Sequence, residues 1–481
     1  MNSPALSLFD PPQLDSDITL TEQISTMLVT KITQLGIRPG SRLPSVRALA
    51  QHLGVSRFTI VAVYNRLSDE GWIHPRQGAG YFVQARQSPP RDDGGMRLGS
   101  DAIEQTPSHR TLDVSWLLHG LLRDVSDPAI PGSAALLPAK WMDSELLASA
   151  TRSVGRAPGH LILGYGHPRG YLPLRQTLAS RLQALDIPAN PDSNLLLTAG
   201  VTHAVDLVLR ALTKPGDTVL VEDPAWFLVF GRLAAAGVQV LGVPRTPQGP
   251  DIDVLAQMAQ AHRPKLFIVN SAVHNPTGYS LQASNAFQVL KLAQQHDFHI
   301  FEDDTYGDLH AGGAIRLAAL DGLQRVLYAN GFSKTLAAGL RCAFLAAAPG
   351  LINTLTDLKL LSGLTTPELN ERVLQRAMSS GQFRRHLDRL RNRVDVARVE
   401  TMKRLSDLDV SIHHDPAGGM FVWGDCHRDS DQLARSAAGE GMLLAPGSLF
   451  SPTQAPSSHI RFSVALAENP AAWRILEKLL G

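Results

Sequence analysis

Five short apolar runs, NLLLTAG, TVLVED, KLFIVN, FHIFEDD and RVLYANG, recur between residues 194 and 331, each stopping at a turn or polar residue. Helical patterns such as VTHAVDLVLRALT and NAFQVLKLAQQH separate several of them. Unbroken apolar runs mark strands buried on both faces, and the intervening helices supply the covers. The pattern therefore predicts an α/β fold, a mostly parallel sheet between helix layers, from about residue 113 onward. Such sheets hold ligands at the carboxyl ends of their strands. The residues that follow each run are the ones to read for chemistry.

The first run is followed by Gly200, Val201 and Thr202, a helix start whose free amide groups can hold a phosphate. The second leads to Trp226, a flat surface for an aromatic ring, and the third to Asn275 in NPTG. After the fourth come Asp303 and, three residues on, Tyr306; after the fifth, in GFSKTLAAGLR, come Ser333, Lys334 and Arg341. An ammonium group among small and apolar residues is unusual, because buried charge without a partner is costly. A planar, phosphorylated cofactor with an aldehyde, a phenolate oxygen and a ring nitrogen uses this set. The Lys334 amine forms a Schiff base with the aldehyde, and Asp303 keeps the ring nitrogen protonated. Asn275 and Tyr306 hydrogen-bond the ring oxygen, and Arg341 pairs with the phosphate. Taken singly, each residue also has an ordinary role: NPTG as a turn, Trp226 as core, Asp303 as a helix cap, Lys334 as a surface lysine. Their ordered arrival at five strand ends favours the cofactor.

Residues 17–85 follow a different pattern. TLTEQISTMLVTKITQLG carries Ile24, Leu28 and Ile32 on one helical face. RPGSRLPSVRALAQHLGVSRFTIVAVYNRLSDEGWI then predicts two helices joined by a short turn. Ser45 caps the first, Leu49 and Leu53 point inward, and Gly54 stops it. Ser56 caps the second, with Ile60, Val63, Tyr64 and Leu67 inward and Gly71 at its end. Arg57 and Thr59 are left at the N-terminal turn, where a recognition helix meets base edges. WIHPRQGAGYFV reads as a wing of two short strands around a glycine-rich tip. The chain's net charge of +1 argues against a uniformly basic coat, but six arginines face two acids between Arg38 and Ala85. That local excess suits contacts to DNA phosphates.

Residues 86–112, rich in Pro, Gly, Ser and charge without hydrophobic period, read as an exposed linker. The length of 481 residues fits two or three domains. The two cysteines, Cys342 and Cys426, have no CxxC spacing, so no disulfide framework is expected and a cytoplasmic location fits. No apolar run reaches membrane-spanning length. His413, His414 and the DCHRD segment lack metal-ligand spacing along the chain, so no metal is expected. His167, His203 and His274 read as solvated loop residues near the cofactor loops, with lining of those loops as the alternative, and Cys342 as a small core residue.

Three resemblances organise these readings. The string PGSRLPSVRALAQHLGVSRFTIVAVYNRLSDEGWI…QGAGYFV resembles the GntR-type winged helix-turn-helix, which implies that Arg47, Ser56, Arg57, Thr59, Gln77 and Gly78 contact DNA. HNPTG, EDDTY, FSKTLAAGLR and the late HIRFSVA resemble the fold-type I aminotransferases, pyridoxal-phosphate (PLP) enzymes with a smaller C-terminal α+β subdomain. That likeness implies that Arg461 holds a substrate α-carboxylate and that Tyr165, in YGHPRGYLPLR, reaches the phosphate of a partner subunit. Relatives usually carry serine or threonine three residues before the lysine, where this chain has Gly331. Together, the winged helix (17–85), linker (86–112) and aminotransferase-like domain (113–481) resemble the MocR/GabR regulators. That resemblance implies a head-to-tail homodimer on operator double-stranded DNA, responding to PLP or an amino compound. A working aminotransferase with an accessory DNA module is the rival reading, and a dead dimerising domain a third.

Overall fold

Ser45 and Gly54 set the two ends of one short helix. The Ser45 hydroxyl accepts the Ala48 N–H, and Gly54 closes the helix with a left-handed φ of 67°, its N–H donating to the Ala50 carbonyl. This helix, α2 (Val46–Leu53), lies between α1 (Leu20–Gln34) and α3 (Arg57–Asp69). Strands β1 (Ile73–Arg76) and β2 (Gly80–Val83) pair antiparallel behind them as the wing. Ile24, Leu28, Leu49, Leu53, Ile60, Val63, Tyr64 and Leu67 form one buried core, and the Tyr64 hydroxyl donates to the Pro44 carbonyl at 2.7 Å. The computed structural model describes residues 19–34, 41–69, 72–76, 80–83, 130–156, 159, 163–310 and 312–481. The wing tip with Gln77 and Gly78, the helix stop at Gly71 and the linker 86–112 lie outside the described residues. The chain divides into two compact units, Met1–Ser108 and His109–Gly481.

The larger unit is built on an eight-stranded sheet. In chain order its strands are β3 (Leu195–Thr198), β4 (Thr218–Asp223), β5 (Gln239–Thr246), β6 (Gly249–Pro250), β7 (Leu266–Val269), β8 (His299–Asp303), β9 (Val326–Gly331) and β10 (Ala343–Ala346). Their order across the sheet is β3-β10-β9-β8-β7-β4-β5-β6. The pairs β9–β8, β8–β7, β7–β4 and β4–β5 are parallel, while β10 runs antiparallel to both β3 and β9. All five apolar runs are therefore parallel strands ending on one edge. Alternate side chains serve opposite faces: Leu195 and Leu197 join one core with Phe267 and Tyr328, while Leu196 joins another with Phe301 and Leu327. Both faces are covered, which is why the runs lack polar interruptions.

A smaller antiparallel sheet, β11-β13-β12, follows, with β11 at Phe421–Asp425, β12 at Ala445–Pro446 and β13 at His459–Ser463. The helices Gly381–Ser406 and Pro470–Leu480 pack on it through Leu390, Val394, Trp473 and Leu476. Among the described residues, no helix is long and apolar enough to cross a membrane.

Candidate functional site

At the end of β3 the chain turns through Gly200, whose φ of +109° strains any residue with a Cβ. The helix Val201–Leu212 begins there with no side-chain cap, so its first amide groups point outward as donors. Just ahead of β10, the strand paired with β3, Arg341, itself left-handed at φ 49°, donates from Nη2 to the Ala199 carbonyl at 2.8 Å. A Cβ at position 200 would lie 2.4 Å from that Nη2. Glycine is thus favoured by φ, a Cβ there would also push the Arg341 guanidinium aside, and the two groups together suit an anion. Val201 lies within 3.4 Å of where a side chain at Gly331 would start, and Ala343 stands 3.1 Å from the same point. Packing has closed around Gly331, so the hydroxyl that relatives place there has little room. Thr202 and Ser333 are half-buried.

Asp303 ends β8, buried, with Oδ1 accepting the Thr305 N–H at 2.9 Å. Burial pushes its carboxyl up, while the Thr305 donors and the Lys334 charge pull it down. Its backbone carbonyl accepts Asn270 Nδ2 at 2.7 Å. Asn270 is in turn held by a buried ion pair: its N–H donates to Glu222 Oε2 at 2.8 Å, and its carbonyl accepts Arg245 Nη1 at 3.0 Å. Ala225, Trp226, Ile268, Asn270 and Asp303 line one cavity. Asn270 ends the KLFIVN run, and the strand-end rule that selected Asn275 applies equally to it.

Asn275 joins two more groups. Its Nδ2 donates to the Tyr306 hydroxyl at 3.3 Å and its Oδ1 accepts Arg461 Nη1 at 2.9 Å. Arg461 is almost wholly buried, yet no carboxylate pairs with it among the described residues. Nη2 donates to the Ser133 carbonyl at 2.7 Å, Nε has no partner, and the guanidinium lies over the rings of Phe421, Phe450 and Phe227 at 4.2, 4.9 and 5.5 Å. Burial depresses its pKa to about 10. A buried, unpaired cation beside three aromatic faces is poised for an anionic ligand.

Lys334 completes the set. Burial lowers its amine to about 8, with Arg461 and Arg341 pushing the same way and Asp303 opposing. An amine brought toward neutrality is a nucleophile at ordinary pH. Tyr165, by contrast, is 84% exposed. His274 corrects the sequence expectation: it is fully buried, with Nδ1 2.8 Å from Thr277 Oγ1 and Nε2 3.4 Å from Glu222 Oε2, because NPTG folds inward as a wall of the site. His203 is half-buried, its Nδ1 accepting the Ala199 N–H at 3.1 Å, and His167 is exposed.

The residues from 136 to 479 match the family "Aminotransferase class I and II", and residues 20–83 match "Bacterial regulatory proteins, gntR family". The chain belongs to the aminotransferase class I and II family, with a gntR-family DNA-binding domain ahead of it. That two-part arrangement is the MocR type. The uncharacterized HTH-type transcriptional regulator YdcR of Escherichia coli strain K12 is 27% identical, with 93% of this chain and 94% of YdcR aligned. The probable rhizopine catabolism regulatory protein MocR of Rhizobium meliloti is 26% identical, covering 90% and 87% of the two chains. LysN, the α-aminoadipate aminotransferase of Thermus thermophilus, superposes with a TM-score of 0.69 at 27% identity, covering 80% of this chain and 98% of LysN. That structure is complexed with N-(5'-phosphopyridoxyl)-L-leucine. The aminotransferase family is PLP-dependent.

In the DNA-binding domain of this MocR-type chain, the Ser56 hydroxyl accepts the Thr59 N–H at 3.0 Å and lies 2.8 Å from Thr59 Oγ1. Thr59 is therefore engaged with the helix cap rather than left free, because a hydroxyl at that position of the first turn falls beside the cap. Arg57 and Arg47 are exposed. The turn also presents Phe58, 83% exposed, which the sequence reading passed over. An aromatic at the second residue of the recognition helix, outside the inward stripe, was its available signal.

Proposed function

We propose that this chain is a PLP-dependent transcriptional regulator, in which the winged helix binds operator DNA and the large unit holds PLP and an amino compound bearing a carboxylate. The carrying observation is Arg461: a buried guanidinium without a counter-ion, close enough to Lys334 to help lower its amine to about 8, in a chain that also carries an exposed recognition turn. The residues present fit PLP. The Gly200 cradle, which any Cβ would fill, suits a phosphate with Arg341 and the helix amides as donors. The Asp303 carboxyl, short of a full cationic partner, suits a protonated ring nitrogen, and Trp226 suits the ring face. When bound, PLP supplies an aldehyde that condenses with amines and a ring that accepts electrons.

The chain's own groups set up that chemistry. Lys334 presents an amine with its proton already weakly held. Asp303, oriented through Thr305 and braced through Asn270 by Glu222 and Arg245, keeps a proton on the atom facing it. Asn275 links the Tyr306 hydroxyl to Arg461, so a carboxylate arriving on Arg461 is felt at Tyr306. Gly331 leaves the phosphate gripped by Arg341 and backbone amides without the extra hydroxyl, which makes PLP easier to exchange and its occupancy a second signal. The reading includes a cytoplasmic homodimer in which exposed Tyr165 reaches the partner's site and two readers address two half-sites.

The test is operator affinity, measured by fluorescence anisotropy on fragments selected from genomic DNA, for PLP-free protein, PLP-loaded protein and PLP-loaded protein with amino acids. A shift of operator affinity on loading supports the reading. Equal affinity in all three forms, or steady turnover with a keto-acid acceptor and no specific DNA binding, rejects it.

A further inference from the structure

Away from the cofactor groups, the small sheet gathers three side chains that are far apart in sequence. Asp425 ends β11 and His459 begins β13, and the two are direct partners in the antiparallel register. Ser411 bridges Asp425 from the other side, its N–H and carbonyl both bonded to the Asp425 backbone at 2.9 Å. Direct partners share a face of a sheet, and so do residues two apart along an extended strand. His413, in the bend two residues beyond Ser411, joins Asp425 and His459. Its Nε2 lies 3.4 Å from Asp425 Oδ2, and single ligand atoms of the three residues all fall within 4.8 Å of one another.

The surroundings fit a ligand set better than an ion pair. Among the described residues, histidines are the only ion-pair partners of Asp425; no lysine or arginine neutralises it. Its Oδ1 accepts the His427 N–H at 2.9 Å, which fixes the carboxylate and turns Oδ2 toward His413. His459 is held by stacking on Trp423, with ring centroids 5.3 Å apart and planes 21° from parallel. Two ligands are thus braced, while His413, with its side chain 57% exposed, is free to close the last distance.

We propose that His413, Asp425 and His459 bind one divalent transition-metal ion of the zinc class. Two imidazoles and one carboxylate match the ligand preference of zinc, cobalt or nickel over magnesium or calcium, which favour all-oxygen sets. Three protein ligands leave at least one position for solvent. His459 stands two residues before Arg461 on the same strand and face, so the ion braces the strand that carries the carboxylate arginine.

The test uses the whole PLP-loaded chain without an affinity tag, and Co2+ as the probe. One Co2+ per chain, with visible ligand-field absorption displaced by Zn2+, is expected. His413→Ala and the isosteric Asp425→Asn should each weaken binding roughly tenfold or more. His414→Ala, at an exposed neighbour outside the cluster, should leave binding unchanged, and circular dichroism should show all three variants folded. No stoichiometric Co2+ uptake overturns the proposal, as does uptake that survives both His413→Ala and Asp425→Asn.

Discussion

Replacing Lys334 by methionine removes a half-buried charge and keeps the volume. In the folded protein the amine titrates at about 8, against an ordinary value of 10.5, chiefly because burial disfavours its charged form. Held protonated below 8, the folded state carries a penalty of about 3 kcal/mol from a displacement of that size. The side chain is half-buried, so solvent screening reduces the figure to about 1–2 kcal/mol. Between pH 8 and 10.5 the unfolded chain binds more protons at this site than the folded one, so the penalty fades as pH rises. PLP-free Lys334→Met should therefore melt above PLP-free wild type at pH 7, by about 1–3 °C for a unit of this size. The gap should narrow as the pH approaches 10. Scanning calorimetry of the two proteins, stripped of cofactor, measures it. A variant that melts at or below wild type at pH 7 while keeping native circular dichroism, or a gap that does not narrow, would refute burial as the cause. The same substitution should abolish covalent retention of PLP, which borohydride reduction and peptide mapping would otherwise locate on residue 334.

Arg461→Lys keeps the charge but loses the planar fork, so affinity for an amino acid carboxylate should fall by about 1.5–3 kcal/mol, read by calorimetry, with PLP affinity unchanged. Gly200→Ala meets Arg341 Nη2 at 2.4 Å and a φ of +109°, so PLP affinity should drop by roughly tenfold or more, followed by cofactor absorbance on titration. Phe58→Ala should leave the melting of the DNA-binding domain unchanged, because the ring is 83% exposed, yet weaken specific operator binding by about 1–3 kcal/mol in anisotropy titrations. Arg47→Ala should instead weaken binding to all sequences and flatten its salt dependence.

The five runs that became β3, β4, β7, β8 and β9 were legible because burial on both faces leaves an unbroken apolar run with a polar end. Strand β5, parallel to β4 but only partly buried, carries no such run and was not. Strand β10 was not, since Ala343–Ala346 sits inside a longer small-residue stretch and its antiparallel direction leaves no mark in sequence. Arg461 could be picked out by its motif, but its cage could not. Phe227, Phe421 and Phe450 come from three separate segments, and only their packing makes the arginine a lone buried cation. His274 was misread because a loop composition was taken for exposure, whereas its imidazole fills the wall behind the site. His413, Asp425 and His459 meet only through strand pairing, which local spacing does not encode.

If the site takes the amino compound proposed above, the unpaired guanidinium also decides which molecules it refuses. An amine that has lost its carboxyl group offers nothing to Arg461 and leaves the cation stranded among the three phenyl rings. A site built around an unsatisfied buried polar group rejects such an analogue far more strongly than an apolar pocket rejects a missing methylene. On the proposed function, a cell stocked with both amino acids and their decarboxylated amines would thus present this chain with two populations of similar shape, of which only the acids would register.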